Sequence, residues 1–122
     1  MSEGEKREEK RGRSALEDYL RGYALGKKIV AAERYEKEFL GGEGECEVFG
    51  EVALARAKMF EIRHFIMDME NSDEKLLLYY HYIKGESVER CGELLGMSRS
   101  SAFRMKARAL ALAEKRFCKE QA

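Results

Sequence analysis

The chain has 122 residues, with 23 Lys and Arg balancing 23 Asp and Glu, 44% apolar residues, and neither Pro nor Trp. These values suit one small, charge-rich, mostly helical domain and exclude a membrane span, because no apolar run is long enough. The opening residues MSEGEKREEKRGR lack the apolar stretch of a signal peptide, so a cytoplasmic protein is expected.

The cysteines, Cys46, Cys91 and Cys118, are odd in number and widely spaced. That pattern gives no disulfide framework and fits a reducing compartment. No CxxC or HxxxH pair occurs, so no metal site is expected, and His64 and His81 are read as ordinary structural residues. No cofactor is expected either.

Residues 1–13 are almost wholly polar and charged. They read as a flexible tail, or as a basic arm following DNA through Lys6, Arg7, Lys10, Arg11 and Arg13. The interleaved Glu3, Glu5, Glu8 and Glu9 oppose the second reading. Ser14 with Glu17 matches a capping box, so a long first helix is expected from there. Leu16, Tyr19, Leu20 and Tyr23 form its apolar stripe. Leu25, Ile29, Ala32, Tyr35 and Phe39 continue it after a shift near Gly22 and Gly26, where a kink or a close helix crossing is expected. The helix should end at Gly41-Gly42.

The stretch GGEGECEVFG, residues 41–50, breaks every period and reads as a flexible loop. A second helix follows. Val52, Ala55, Met59, Ile62, Ile66 and Met69 recur at alternating steps of three and four, a heptad seam that Phe60, Phe65 and Met67 widen. Residues 14–71 should therefore form a helical hairpin or stalk. Its seam could pair within the chain, or with a second chain as a homodimer and coiled coil.

Residues 72–117 read as a separate module. A third helix should start in Asn71–Lys75, bury Leu76, Leu77, Tyr80 and Ile83, and stop at Gly85. Ser87 should cap a short fourth helix ending at Gly96. Ser98 should cap a fifth reaching about Phe117, with Ala102, Met105, Ala109 and Leu112 toward the core and residues 118–122 as a tail. The fold class expected is all-α.

The segment from Val88 to Ala107 meets the requirements of a helix-turn-helix. Gly96 can take the left-handed turn, and Gly92 leaves room where the two helices touch. Cys91, Leu95, Met97, Ala102 and Met105 supply apolar packing around the turn, which makes Cys91 a packing residue. The second helix of such a unit enters the major groove. Its candidate DNA-binding residues are Ser98, Arg99, Ser100, Ser101, Phe103, Arg104, Lys106 and Arg108. Arg can pair with guanine and Ser with several bases or phosphates, while Lys106 and Arg108 suit the backbone. No acid lies between Ser98 and Ala113. Residues 87–122 hold eight basic and four acidic residues, a surplus of four that the rest of the chain cancels.

The segment LLLYYHYIKGESVERCGELLGMSRSSAFRMKARALALAEKRF resembles the fourth-region helix-turn-helix of sigma-70-type factors. It is more similar to phage and prophage transcriptional regulators of the ArpU/RinA type. The elements carrying the resemblance are Tyr82-Ile83-Lys84-Gly85, Ser87-Val88-Glu89, Leu95-Gly96, Ser98-Arg99-Ser100 and Arg108-Ala109-Leu110. It covers about residues 73–117. It departs from the pattern at Ala102, where a β-branched residue is usual, and at Cys91 and Gly92. Phe103 either fills the space beside Ala102 or faces DNA and touches a thymine methyl.

The resemblance implies a sequence-specific double-stranded DNA-binding regulator of phage late genes, with RNA polymerase as a further partner of the stalk. A complete sigma factor is not expected from a chain of this length. Two alternatives stand beside it: a DNA-recognition subunit like the small terminase of phages, and a helical interaction module that uses the Val52–Met69 seam and no nucleic acid. An enzyme is not expected. The chain offers no nucleophile with a base, no carboxylate pair with a base, and no phosphate-binding glycine loop.

Overall fold

The structure, a computed structural model, describes the backbone of residues 2–39 and 50–121 and the side chains within 15–39 and 50–120. The described residues are helical throughout their regular structure, as an all-α fold requires: α1 (Ser2–Phe39), α2 (Glu51–Met67), α3 (Asp73–Leu78), α4 (Val88–Leu95) and α5 (Arg99–Gln121). A π-helical turn, Tyr79–Ile83, continues α3. Among the described residues no helix is long and apolar enough to cross a membrane. The glycine-rich loop expected at 41–49, with Cys46, lies outside the described residues.

Two expected tails are helical instead. The backbone of α1 begins at Ser2, so residue 14 lies within the helix and not at its start. Residues 2–13 are mostly Glu, Lys and Arg, all good helix formers, and nothing in them stops the helix from extending backward. At the other end α5 runs through Phe117 and Cys118 to Gln121.

α1 and α2 pack antiparallel. Tyr19 meets Phe65 with ring centroids 5.6 Å apart. A Cβ on Gly22 would lie 3.2 Å from Ile62 Cδ1, and one on Gly26 only 2.6 Å from Met59 Cγ. The glycines thus mark a close crossing within an unbroken helix. α2 spends its heptad seam on this contact: Ala55, Ile62 and Ile66 are buried, and Val52 and Met59 are half-buried. Met69 lies beyond the end of α2 but still packs on the core.

The apolar stripe does not continue along α1 as expected. Past Gly22 the face toward α2 carries Gly26 and the half-buried Ile29 and Val30. Leu25, Ala32, Tyr35 and Phe39 are exposed, because the close approach at the two glycines selects a different face. Phe60 and Met67 are exposed as well and do not widen the seam.

α3 corrects a second periodicity. Its buried residues are Leu77 and Leu78, followed by Tyr82 and Ile83, while Leu76 is exposed and Tyr80 half-buried. The π-turn causes this. The Lys84 N–H donates to the Tyr79 carbonyl five residues back, at 3.1 Å. The wider turn brings residues five apart onto one face, so the expected three-and-four spacing fails. Ser72 caps α3 by accepting from the Lys75 N–H. Lys27 on α1 donates to the Ile83 carbonyl at 3.1 Å, which satisfies an end of the turn that lacks an intrahelical partner.

One core joins what the sequence divides into a hairpin and a module. Leu16, Leu20, Ile62, Phe65 and Ile66 of the hairpin pack with Leu78, Tyr82, Ile83, Ala109 and Ala113. Tyr19, Phe65 and Phe117 form an aromatic group where α1, α2 and α5 meet. Arg116 lies over the Phe65 ring and pairs with Asp68 and Glu120, tying the end of α5 to the end of α2. On α5 the buried line is Ala102, Ala109 and Ala113. Met105 is half-buried and Leu112 exposed, contrary to the expected core set. Three alanines let α5 lie close against its neighbours, and Leu112 sits one residue off that line.

Candidate nucleic-acid interface

The candidate site is built from its turn outward. Ser87 opens α4, its Oγ accepting from the Arg90 N–H at 3.1 Å. α4 closes on Gly96, whose backbone is left-handed at φ 71°, ψ 33°. The Gly96 N–H donates to the Glu93 carbonyl at 3.2 Å and the Met97 N–H to the Gly92 carbonyl at 2.8 Å. This pair is a Schellman motif, and only glycine takes its left-handed position without strain. Two residues later Ser98 opens α5, its Oγ accepting from the Ser101 N–H at 3.2 Å.

The two helices touch where Gly92 faces Ala102. A Cβ at Gly92 would lie 2.9 Å from the Ala102 Cβ and 3.2 Å from the Met97 carbonyl oxygen. The departure from a β-branched residue at 102 therefore has a physical cause: the close approach leaves no room for one. Cys91 is fully buried, with its Sγ 4.0 Å from the Leu77 carbonyl, and burial pushes its thiol pKa up. Its surroundings are those of a packing residue. Leu95, Met97 and Met105 are half-buried around the turn.

Phe103 does not fill space beside Ala102. Ala102 is fully buried and Phe103 is 45% exposed. The Arg99 guanidinium lies 5.9 Å from the Phe103 ring centroid. Arg99 also pairs with Glu89 of α4 at 3.4 Å, so this arginine is held across the turn.

On the opposite side of the exposed ridge a hydroxyl chain orients Arg104. The Ser98 hydroxyl lies 3.0 Å from Ser101 Oγ, and Arg104 Nη2 donates to the same oxygen at 3.4 Å. Ser100 stands exposed between the two sides. Arg108, one turn beyond Arg104, is 3.7 Å from Glu74, the mostly buried acid in the first turn of α3.

Lys106 does not join this surface. Two residues from Arg104 is about 200° of helix rotation, which turns Lys106 toward the body of the protein. There it is half-buried. It lines a groove of about 290 Å³ with Glu17, Phe103 and Leu110, and its charge helps lower the His81 pKa. The eight candidate residues thus divide into Ser98, Ser100, Ser101, Arg104 and Arg108 on the ridge and one flank, Arg99 and Phe103 on the other flank, and Lys106 behind.

Glu89 and Glu74 are the members of the site that sequence reasoning missed. Each holds an arginine that the sequence presents as free, and no local pattern pairs residues that distant. The charge of α5 is accordingly less naked than its acid-free run suggests; among the described residues, Arg104 has a hydroxyl as its partner and no acid. The described residues contain no group of three or more His, Cys, Asp and Glu that could hold a metal ion. Comparison with protein-family models, with curated proteins and with solved structures gives no match.

Proposed function

We propose that the chain is a sequence-specific double-stranded DNA-binding transcriptional regulator whose α5 enters the major groove. The observation that carries the reading is the locked turn. The Schellman motif at Gly96, the Ser98 cap and the Gly92–Ala102 contact fix α5 against α4. They leave Ser100, Phe103 and Arg104 projecting from an acid-free helical segment. A bundle helix also exposes a polar face to water, but it does not require the locked turn before it. A reading helix needs one, with its N-terminal residues at base edges and its first free N–H groups near a phosphate. The resemblance to phage and prophage regulators of the ArpU/RinA type agrees with this reading and suggests late-gene control. RNA polymerase would then be the partner of the remaining surface.

Selection of binding sites from random duplex DNA at about 50 mM salt tests the reading. A recovered consensus supports it, and recovery of no sequence refutes it. With the consensus in hand, Arg104→Ala should cost about 1–3 kcal/mol and relax the preference at one position, while Arg108→Ala should weaken all sequences alike; Lys106→Ala, at a residue turned toward the body of the protein, should leave DNA affinity nearly unchanged. The reverse pattern would refute the assigned roles. Native mass spectrometry separates regulation from packaging: a ring of many copies favours a terminase-like subunit, and a monomer or dimer favours a regulator. The alternative of a module that binds a protein through the Val52–Met69 seam has less support, since Ala55, Ile62 and Ile66 of that seam are buried within the chain.

A further inference from the structure

α1 outruns its partner. Gly26 lies opposite Met59 and Ala55, from which α2 reaches back only four residues to Glu51. α1 continues for thirteen residues to Phe39. At about 1.5 Å per residue, roughly 14 Å of α1 projects past the start of α2. The outer face of this half, turned away from α2, carries Leu25, Ala32 and Phe39 at strict seven-residue spacing, with Lys28 and Tyr35 at the alternate heptad positions. All five are exposed, Leu25 at 59%, Tyr35 at 55% and Phe39 at 68%. A heptad stripe on a helix is a surface for a second helix.

The charges on that face select the second helix. Parallel pairing of two α1 helices would set Lys28 beside Lys28 and Glu36 beside Glu36. Antiparallel pairing centred on Ala32 sets Leu25 against Phe39 of the second copy and Lys28 against its Glu36, in both directions at once. Ala32, the smallest side chain of the stripe, then lies on the two-fold axis where the helices come nearest. Elsewhere along this half Lys37 pairs with Glu33 at 3.4 Å, and Lys27 is bonded to the Ile83 carbonyl.

We infer that the chain forms a two-fold dimer through the outer face of α1, antiparallel and centred on Ala32. This interface is distinct from the Val52–Met69 seam, which is spent within the chain. The dimer does not rest on the DNA reading. A consequence for that reading follows from its geometry. Twelve residues separate Leu20, in the core, from Ala32. That is about 18 Å of helix, so the two cores lie about 36 Å apart along the paired helices. A two-fold dimer of this kind would present two copies of α5, which suits an inverted repeat.

Sedimentation equilibrium of the full chain over the micromolar range tests the dimer. The wild type should be dimeric, and Phe39→Glu should be monomeric with unchanged helical content. Lys28→Glu should weaken the dimer about tenfold, since it turns two attractive pairs into repulsive ones. Adding Glu36→Lys should restore it. In a chain with Cys46→Ser and Cys118→Ser, Ala32→Cys should cross-link to itself on mild oxidation and Leu25→Cys should not. A monomeric wild type overturns the inference. So does a dimer that survives Phe39→Glu, or a Leu25→Cys chain that links to itself, which would mean parallel pairing. A monomer that binds a consensus duplex refutes the dimer alone, and a dimer that binds no duplex refutes the DNA reading alone.

Discussion

Gly92→Ala probes the contact that fixes α5. The added Cβ would meet the Ala102 Cβ at 2.9 Å and the Met97 carbonyl oxygen at 3.2 Å, whereas ordinary contact begins at 3.4 Å. Neither neighbour is the free end of a flexible side chain, so α4 and α5 must separate by about 0.5 Å, the difference between those distances. Overpacking of this kind costs about 1–3 kcal/mol. Replacing a helical glycine by alanine returns up to about 1 kcal/mol. The expected net is a loss of about 1 kcal/mol, or roughly 4 °C in Tm for a chain of this size. Urea denaturation followed by far-ultraviolet circular dichroism measures it. Gly22→Ala is the control. Its Cβ would meet only Ile62 Cδ1, at 3.2 Å, the tip of a side chain that can shift. That variant should be neutral or more stable. A double-mutant cycle with Ala102→Gly should show Gly92→Ala costing less when residue 102 has no Cβ. If Gly92→Ala stabilises the protein as much as Gly22→Ala does, the close approach of α4 and α5 is wrong.

Ser98→Ala removes the cap of α5 and should cost about 1 kcal/mol; it also frees Ser101 and Arg104, so DNA affinity should fall further than stability explains. In a Cys46→Ser chain, a thiol reagent should label the exposed Cys118 quickly in the folded protein and Cys91 only on unfolding, because Cys91 is buried and its pKa raised. His81 should make the protein acid-sensitive. Its Nδ1 lies 2.7 Å from the Glu86 carbonyl, and burial, with Lys106 and Arg21 nearby, lowers its pKa below the ordinary value of 6.5. The unfolded chain therefore binds the proton more readily, and the His81 contribution to stability falls as pH drops from about 6.5 toward the lower folded value. His81→Asn, whose amide can keep the bond to Glu86, should flatten the urea midpoint between pH 7 and pH 5.5. An unchanged slope would contradict the shift.

Local chemistry was the part of this fold most legible in the sequence. Ser72, Ser87 and Ser98 cap the helices they precede, and Gly96 takes the left-handed turn, because caps and turns depend on a few adjacent residues. Gly92 was readable for the same reason. Register over longer distances was less legible. The π-turn at Tyr79–Ile83 changes the face of α3, and nothing in YYHYI announces a bond from residue 84 back to residue 79. The stripe from Leu25 to Phe39 is a true heptad pattern, but only the glycine crossing decides that it faces away from α2. In the candidate site, the ridge residues Ser100 and Arg104 were legible from helical spacing. The inward turn of Lys106, and the hold of Glu74 and Glu89 on Arg108 and Arg99, depend on how separate elements pack. The shared core was illegible for that reason too: Leu16 and Leu20 pack with Ala109 and Ala113, far along the chain.

The central claim is that the first half of α5 reads duplex DNA, and amide chemical-shift mapping tests it most directly. The labelled protein would be titrated with a duplex recovered by selection from random sequence. The largest changes should fall on Ser98–Arg108 and the turn before it, should weaken steeply as salt rises, and should shrink in Arg104→Ala. Changes centred instead on the aromatic group of Tyr19, Phe65 and Phe117, or no changes at about 50 mM salt, would contradict it.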